Sequence, residues 1–354
     1  MEFVDLHDLA RQNHPGIFYR EAAPEDAGFR PPPRFFFGPI PKEFGEWHFG
    51  DRLAPKVGLF DLTNITLTGD RVLVWEDKIL CLGQNGLHGG VTDGLERQHK
   101  ILEIEETVVL LCGPAYQMYG HWLVDFLPRL HVLTALGYDI CSLRYLLPHN
   151  LIDFSYQWLS LLGISKDQII SYDVVTEQCR IRHALIPTGL RGNSRASPLL
   201  RSAMQDFKGR LQQNPAAPAT RRLYISRRAW PNFSRNLSNV EAVETVFEKH
   251  GFEMIAPEKL TIKQQVQLFS ESLILAGEYG SALHNSIFAP RQATVMALRG
   301  TEGHPGFLQS GLCEALGQTY GYVFGKTEAM NGGQEYSIEL DQLELCIKLI
   351  LASD

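Results

Sequence analysis

The run Tyr119-Gly-His121-Trp-Leu-Val-Asp125-Phe-Leu-Pro128-Arg129 sets an imidazole and a carboxylate four positions apart, directly after the apolar stretch Thr107-Val-Val-Leu-Leu-Cys112. On a helix that spacing projects both groups from one face. Such a pair can act as a general base, or as a base with an orienting partner, in removing the proton of an attacking hydroxyl. The competing structural reading gives His121 a strand-end hydrogen bond and pairs Asp125 with Arg129, one turn on, as an ordinary helix salt bridge. Pro128 lacks an N–H, so the Val124 carbonyl loses its helical partner and a bend is expected beside the carboxylate.

Two further segments carry groups suited to an anion. In Arg221-Arg-Leu-Tyr-Ile-Ser-Arg227-Arg228 an apolar strand ends in two adjacent arginines. Each charge-assisted hydrogen bond to a phosphate is worth about 1.5–3 kcal/mol, and strand C-termini face the ligand crevice in open α/β sheets. A diphosphate fits such a site, with Arg235 adding charge ahead of a helix that Asn239 can cap. The structural alternative leaves these arginines in solvent or paired with nearby acids. In Leu273-Ile-Leu-Ala-Gly277-Glu-Tyr-Gly280-Ser281-Ala-Leu-His284-Asn285 a strand runs through a glycine turn into a helix start. Glycine lets backbone approach a phosphate, and free N–H groups at Ser281 and Ala282 favour negative charge. This is neither the Gly-x-Gly-x-x-Gly fingerprint nor a Gly-x-x-x-x-Gly-Lys-[Ser/Thr] loop, which argues against nicotinamide redox chemistry and ATP hydrolysis. Nucleotide-sugar binding remains compatible.

These motifs need elements to hold them. The first sixty residues, with Pro31-Pro-Pro33, Phe35-Phe-Phe37, Pro39 and Pro41, read as an extended segment wrapping the surface on aromatic anchors. Leu59–Leu82 reads as short antiparallel strands. After Leu102 strand and helix signals alternate: strands at Val108–Cys112, Tyr145–Leu147, Ile169–Tyr172 and Ala184–Ile186, and helices at Gly120–Leu136 and Phe154–Leu162. A Pro/Ala connector at Asn214–Thr220 resembles an interdomain linker. A second series follows, with strands at Leu223–Ser226, Glu253–Ile255, Leu273–Ala276, Thr294–Leu298 and Tyr320–Phe324 and helices at Val240–His250, Ile262–Ser270, Ser281–Phe288 and Phe307–Leu316. The expected fold is α/β: two Rossmann-like domains facing a cleft, behind an irregular and β-rich N-terminal segment. The spans are 1–60 for that segment, 61–200 and 201–330 for the two domains, and 331–354 for a terminal helix open to packing back on the first domain.

Composition bounds the partners. The 354 residues carry a net charge of −7, 44% hydrophobic and 21% charged side chains, as in a globular chain without the basic excess of a nucleic-acid binder. Six scattered cysteines form no zinc-like spacing and read as reduced thiols of a cytoplasmic protein. No apolar run is long enough to span a bilayer, and peripheral attachment at its inner face stays compatible.

Taken together, the segments resemble glycosyltransferase family 61 over roughly Thr107–Gly325. His121-Trp-Leu-Val-Asp125-Phe-Leu-Pro128-Arg129 is similar to the family's His-Trp-Leu-x-Asp segment, and Tyr224-Ile-Ser-Arg227-Arg228 to its Ile-Ser-Arg-Arg. Gly251-Phe-Glu, Gln265 and Gly277-x-x-Gly280-x-x-Leu283-x-Asn285-x-x-Phe288 follow in the family's order and spacing. The resemblance implies a GT-B architecture and inverting, metal-independent transfer. The sugar would pass from a nucleotide-sugar donor, commonly UDP-linked, to a hydroxyl of a saccharide or glycan acceptor, in bacterial-type polysaccharide biosynthesis. No cofactor is implied beyond the donor itself. The first domain would hold the acceptor, with Asp125 the leading base and His121 orienting it or the hydroxyl. Donor contacts would come from Arg227, Arg228, Arg235, Tyr279, Gly280, Ser281, His284 and Asn285. Where the closing motif usually has histidine this chain has Tyr279, which cannot be cationic at neutral pH, and Glu278 beside it would repel a diphosphate if it pointed inward. These replacements motivate a second reading, a nucleotide-sugar-binding or scaffold protein that has lost transfer.

Overall fold

The computed structural model describes residues 1–26, 32–41, 44–45, 53–81, 99–192, 194–211, 218–228, 235–301, 307–330 and 333–352. The chain divides into two compact units, the first made of Met1–Asp26 and Ala54–Gly192, the second of Ala27–Leu53 and Asn193–Asp354. The Pro/Ala connector falls largely outside the described residues, and the unit boundary lies ahead of it, before helix Leu199–Leu211.

Unit 1 is built on a nine-stranded sheet. Four neighbouring strands, Glu177–Pro187, Lys100–Leu110, Arg144–Pro148 and Ile169–Tyr172, run parallel. The other side of Glu177–Pro187 pairs antiparallel with the long strand Val57–Thr68, which continues antiparallel through Val72–Trp75 to Lys78–Cys81. The sheet is therefore mixed rather than Rossmann-like throughout. The cause is local, because Glu76-Asp77 joins its two strands with only two residues, a connection that permits antiparallel pairing alone. Residues 1–26 also depart from the expected wrapping segment. Glu2–Asp5 pairs with Lys78–Cys81 and Ile17–Ala23 with Val57–Thr68, so both are strands of this sheet. Leu6, Leu9 and Ile17 join its core beside Phe60, Leu62 and Ile181.

Unit 2 carries five parallel strands in the spatial order Glu253–Ile255, Arg221–Ile225, Ser272–Glu278, Thr294–Gly300 and Thr319–Met330. The first strand in sequence thus lies between the second and the third. Strand order reverses there, and a reversal of this kind opens a crevice at the strand C-termini. Phe35–Phe37, expected on the surface, pairs parallel with residues 321–323 of this sheet. The terminal helix Leu340–Leu351 buries Leu343, Cys346, Ile347 and Ile350 in the unit 2 core with Val243 and Phe247. Its apolar face is thereby used within unit 2. Asn239 does not cap its helix but exchanges hydrogen bonds with the Ile338 backbone. Among the described residues no helix is long and apolar enough to cross a membrane, and all six cysteines are free thiols.

Candidate active site

The His121 segment leaves the C-terminal end of strand Lys100–Leu110 and begins a helix at Tyr119. Over Trp122–Phe126 the helix widens into a π-turn, the Leu127 N–H donating to the Trp122 carbonyl, before α-geometry resumes over Leu127–Ala135. Pro128 supplies the reason. It removes the donor for Val124, and the wider turn takes up the loss immediately ahead of the ring. The buried side chains Trp122, Leu123, Val124 and Phe126 fix the roll of this turn, with the Trp122 and Phe126 rings stacked 5.5 Å apart. His121 and Asp125 are left together on the remaining face.

His121 Nδ1 lies 2.6 Å from Asp125 Oδ2. The partner of Asp125 beyond this is not Arg129 but Arg191, whose Nη2 donates to Oδ2 at 2.7 Å and whose Nε lies 2.5 Å from Oδ1. Arg129 instead donates to the Cys112 carbonyl at 3.1 Å and lies over the Phe126 ring. Arg191 stands just past strand Glu177–Pro187, which is the parallel neighbour of Lys100–Leu110. Two adjacent parallel strands thus deliver Asp125 and its counter-charge to the same sheet edge. Burial pushes the Asp125 carboxyl up, but the Arg191 charge and the His121 and Arg191 hydrogen bonds outweigh it and hold the group at about 2. Arg191 was not a sequence candidate. Its one signal is the setting Gly189-Leu-Arg191-Gly192, a charge between glycines at a strand end.

In unit 2 the structure brings together some of the expected anion contacts and disperses others. Arg227 follows strand Arg221–Ile225, and the Gly280 turn follows the parallel neighbour Ser272–Glu278, so both stand where strand order reverses. Gly280 has φ +156°, and a Cβ there would sit 3.4 Å from Arg227 Nη1. Among the described residues Arg227 makes no ion pair or hydrogen bond. The N–H groups of Gly280, Ser281 and Ala282 likewise have no acceptor among the described residues. One guanidinium and three backbone donors on a glycine turn are the ingredients of an anion cradle.

The other predicted donor contacts lie elsewhere. Arg228 is paired with Glu241 and Glu244 of helix Val240–Lys249. The strand Arg235–Leu237 pairs with residues 334–336, and the Arg235 side chain lies outside the described residues. His284 and Asn285 are buried in a short 3₁₀ turn, His284 Nδ1 lying 3.3 Å from Gln309 Oε1 and Asn285 donating to the Ala282 carbonyl. They hold the turn rather than point out of it, because Leu283–Phe288 is buried along its whole length. Tyr279 is also committed inward. Its hydroxyl accepts the Leu308 N–H at 3.0 Å, at the first turn of helix Leu308–Leu316, and the Arg299 guanidinium lies 4.9 Å from its ring centre. Glu278 is buried and accepts from the Tyr336 hydroxyl at 3.2 Å. Burial pushes its carboxyl up, against the opposing charge of Arg227.

A family model described as Glycosyltransferase 61 matches residues 119–296, half of the chain. No curated protein matches it. The matched span opens two residues before His121 and contains Asp125, Arg191, Arg227 and the Gly280 turn, so the features assembled from the fold are those inside the family's boundaries. The chain belongs to glycosyltransferase family 61.

Proposed function

We propose that the protein is an inverting glycosyltransferase that moves a sugar from a nucleotide-sugar donor, of the UDP type, to a hydroxyl of a saccharide acceptor without a metal ion. Two-domain transfer of the GT-B kind is part of this reading: unit 2 binds the donor and unit 1 activates the acceptor. The observation that carries it is the Arg227 guanidinium beside Gly280, at the start of a turn whose Gly280, Ser281 and Ala282 N–H groups have no acceptor among the described residues. These donors bind the diphosphate and stabilise the charge that gathers on it as the glycosidic bond breaks. The His121–Asp125 pair accepts the acceptor's proton, and fixing both reactants removes much of the entropic barrier.

The reading of a transfer-deficient binding protein rested on Glu278 and Tyr279. Against it stand the contacts of both side chains within unit 2, the Tyr279 hydroxyl on the Leu308 N–H and Glu278 on the Tyr336 hydroxyl, with Glu278 still close enough to Arg227 to feel its charge. A thermal-shift screen against UDP-, GDP-, CMP- and dTDP-sugars tests the donor assignment, since a ligand that binds the native state raises its stability by mass action. Arg227→Ala is expected to weaken the best ligand by roughly 10- to 100-fold, the loss of one charge-assisted contact. Unchanged affinity in that variant would remove the diphosphate from this turn.

A further inference from the structure

The carboxylate of the His121–Asp125 pair is fully engaged. Oδ2 faces His121 Nδ1 at 2.6 Å and Arg191 Nη2 at 2.7 Å, while Oδ1 faces Arg191 Nε at 2.5 Å. The side chain is 16% exposed, against 35% for His121. With its carboxyl held at about 2, Asp125 would carry a proton on the order of once in 10⁵ molecules at pH 7. A group so reluctant to accept a proton is a poor base. It is well suited to a different task, because an anionic carboxylate against Nδ1 selects the tautomer with the proton there, leaving the lone pair on Nε2.

We propose that His121 Nε2, not Asp125, takes the proton of the acceptor hydroxyl, and that Arg191 is a positioning residue that acts through Asp125. This rests on the transfer reading given above. In the step, Nε2 takes the hydroxyl proton and the acceptor oxygen forms a bond to the anomeric carbon. The bond from that carbon to the diphosphate oxygen breaks, its electron pair leaving on the phosphate. The imidazolium so formed keeps its Nδ1–H on Asp125. Among the described residues the charges tied to the ring are Asp125 at 2.6 Å and, through that carboxylate, Arg191 and Arg129, the latter one helical turn beyond Asp125.

The test uses the full chain and two readouts. Nitrogen-15 NMR of histidine-labelled protein, with His121→Gln identifying the signal, is expected to show the Nδ1–H tautomer, and Asp125→Asn to shift it toward Nε2–H. Kinetics use whichever of the UDP-, GDP-, CMP- or dTDP-sugars gives the largest thermal shift. His121→Gln is expected to lower kcat by about 10²–10⁴-fold with donor KM unchanged, and to abolish the acid limb of the wild-type rate. Arg191→Met should move that limb to higher pH, because a positive charge near the ring is gone, and Arg191→Lys should restore part of it if the first variant folds poorly. Retention of kcat within threefold by His121→Gln, or a wild-type rate that stays flat to about pH 3 while Asp125→Asn is inactive, returns the base role to Asp125. An Nε2–H ring in the wild-type chain overturns the inference whatever the kinetics show. Absence of transfer by the wild-type chain from every donor, alongside an Nδ1–H ring, refutes the transfer reading instead, and the base assignment with it.

Discussion

Replacing Arg191 by Met leaves Asp125 without its counter-charge, and the cost can be worked in two ways. Both partners are 16% exposed and make two contacts at 2.5 and 2.7 Å. Removing one member of a well-buried pair costs about 3–5 kcal/mol; with some solvent access, and His121 still donating, the lower end applies. Independently, holding the carboxyl at about 2 rather than 3.8 corresponds to roughly 2 kcal/mol of native-state stabilisation. The second figure is the net of burial, Arg191 and His121 together, and a coupling of about 2–3 kcal/mol to Arg191 is expected. Its sign against pH follows from a depressed carboxyl: the contribution is complete above the unfolded value near 4 and fades as pH falls from there toward 2. A double-mutant cycle of Arg191→Met, Asp125→Asn and the combination, followed by urea unfolding between pH 7 and pH 3, isolates the pair from the rest of the chain. A coupling under about 0.5 kcal/mol at pH 7, or one that does not shrink toward pH 3, would refute the reasoning.

Gly280→Ala introduces a Cβ at φ +156° and 3.4 Å from Arg227 Nη1; a loss of about 1–3 kcal/mol in stability and weaker nucleotide binding by calorimetry are expected, and full affinity would mean the turn does not hold the anion. Tyr279→Phe removes the acceptor for the Leu308 N–H, so chemical denaturation should show about 1 kcal/mol of destabilisation with donor affinity unchanged. A large drop in affinity instead would place the hydroxyl on the donor. Transfer should persist in excess EDTA, and its loss with recovery on adding a divalent cation would sink the metal-independent reading.

The elements behind both candidate sites were legible because their signals are local. A parallel strand buried on both faces reads as a short apolar run, and the helices between such runs keep the 3.6-residue period, so the expected strands Leu273–Ala276 and Thr294–Leu298 fall inside Ser272–Glu278 and Thr294–Gly300, and helix Ile262–Ser270 keeps its limits. The His121–Asp125 contact was likewise encoded in its spacing. What escaped depends on partners far along the chain. Arg191 meets Asp125 across 66 residues, and no periodicity announces that. Arg228 reads like Arg227, but the acids on helix Val240–Lys249 take only the former. His284 and Asn285 read as donor contacts through the family resemblance alone, whereas the 3₁₀ turn they occupy is buried from Leu283 to Phe288. Phe35–Phe37 looked like surface wrapping because three residues are too few to show a strand's alternation, and only the edge of the unit 2 sheet completes it.

The π-turn at Trp122–Phe126 also sets how this segment responds to changes in length. Relative to a regular α-helix it behaves as an inserted residue, and each residue of an α-helix turns the chain by about 100°. A one-residue deletion between Asp125 and Pro128 would therefore return the segment to α-helical phase while turning His121 and Asp125 together by about 100° relative to the helix that follows, away from Arg191. Such a deletion would be mild for folding and severe for chemistry, the reverse of what loss of a core residue does. A change in helix phase, and not only a change in side chain, is thus a way for a relative of this chain to keep its fold and lose its base.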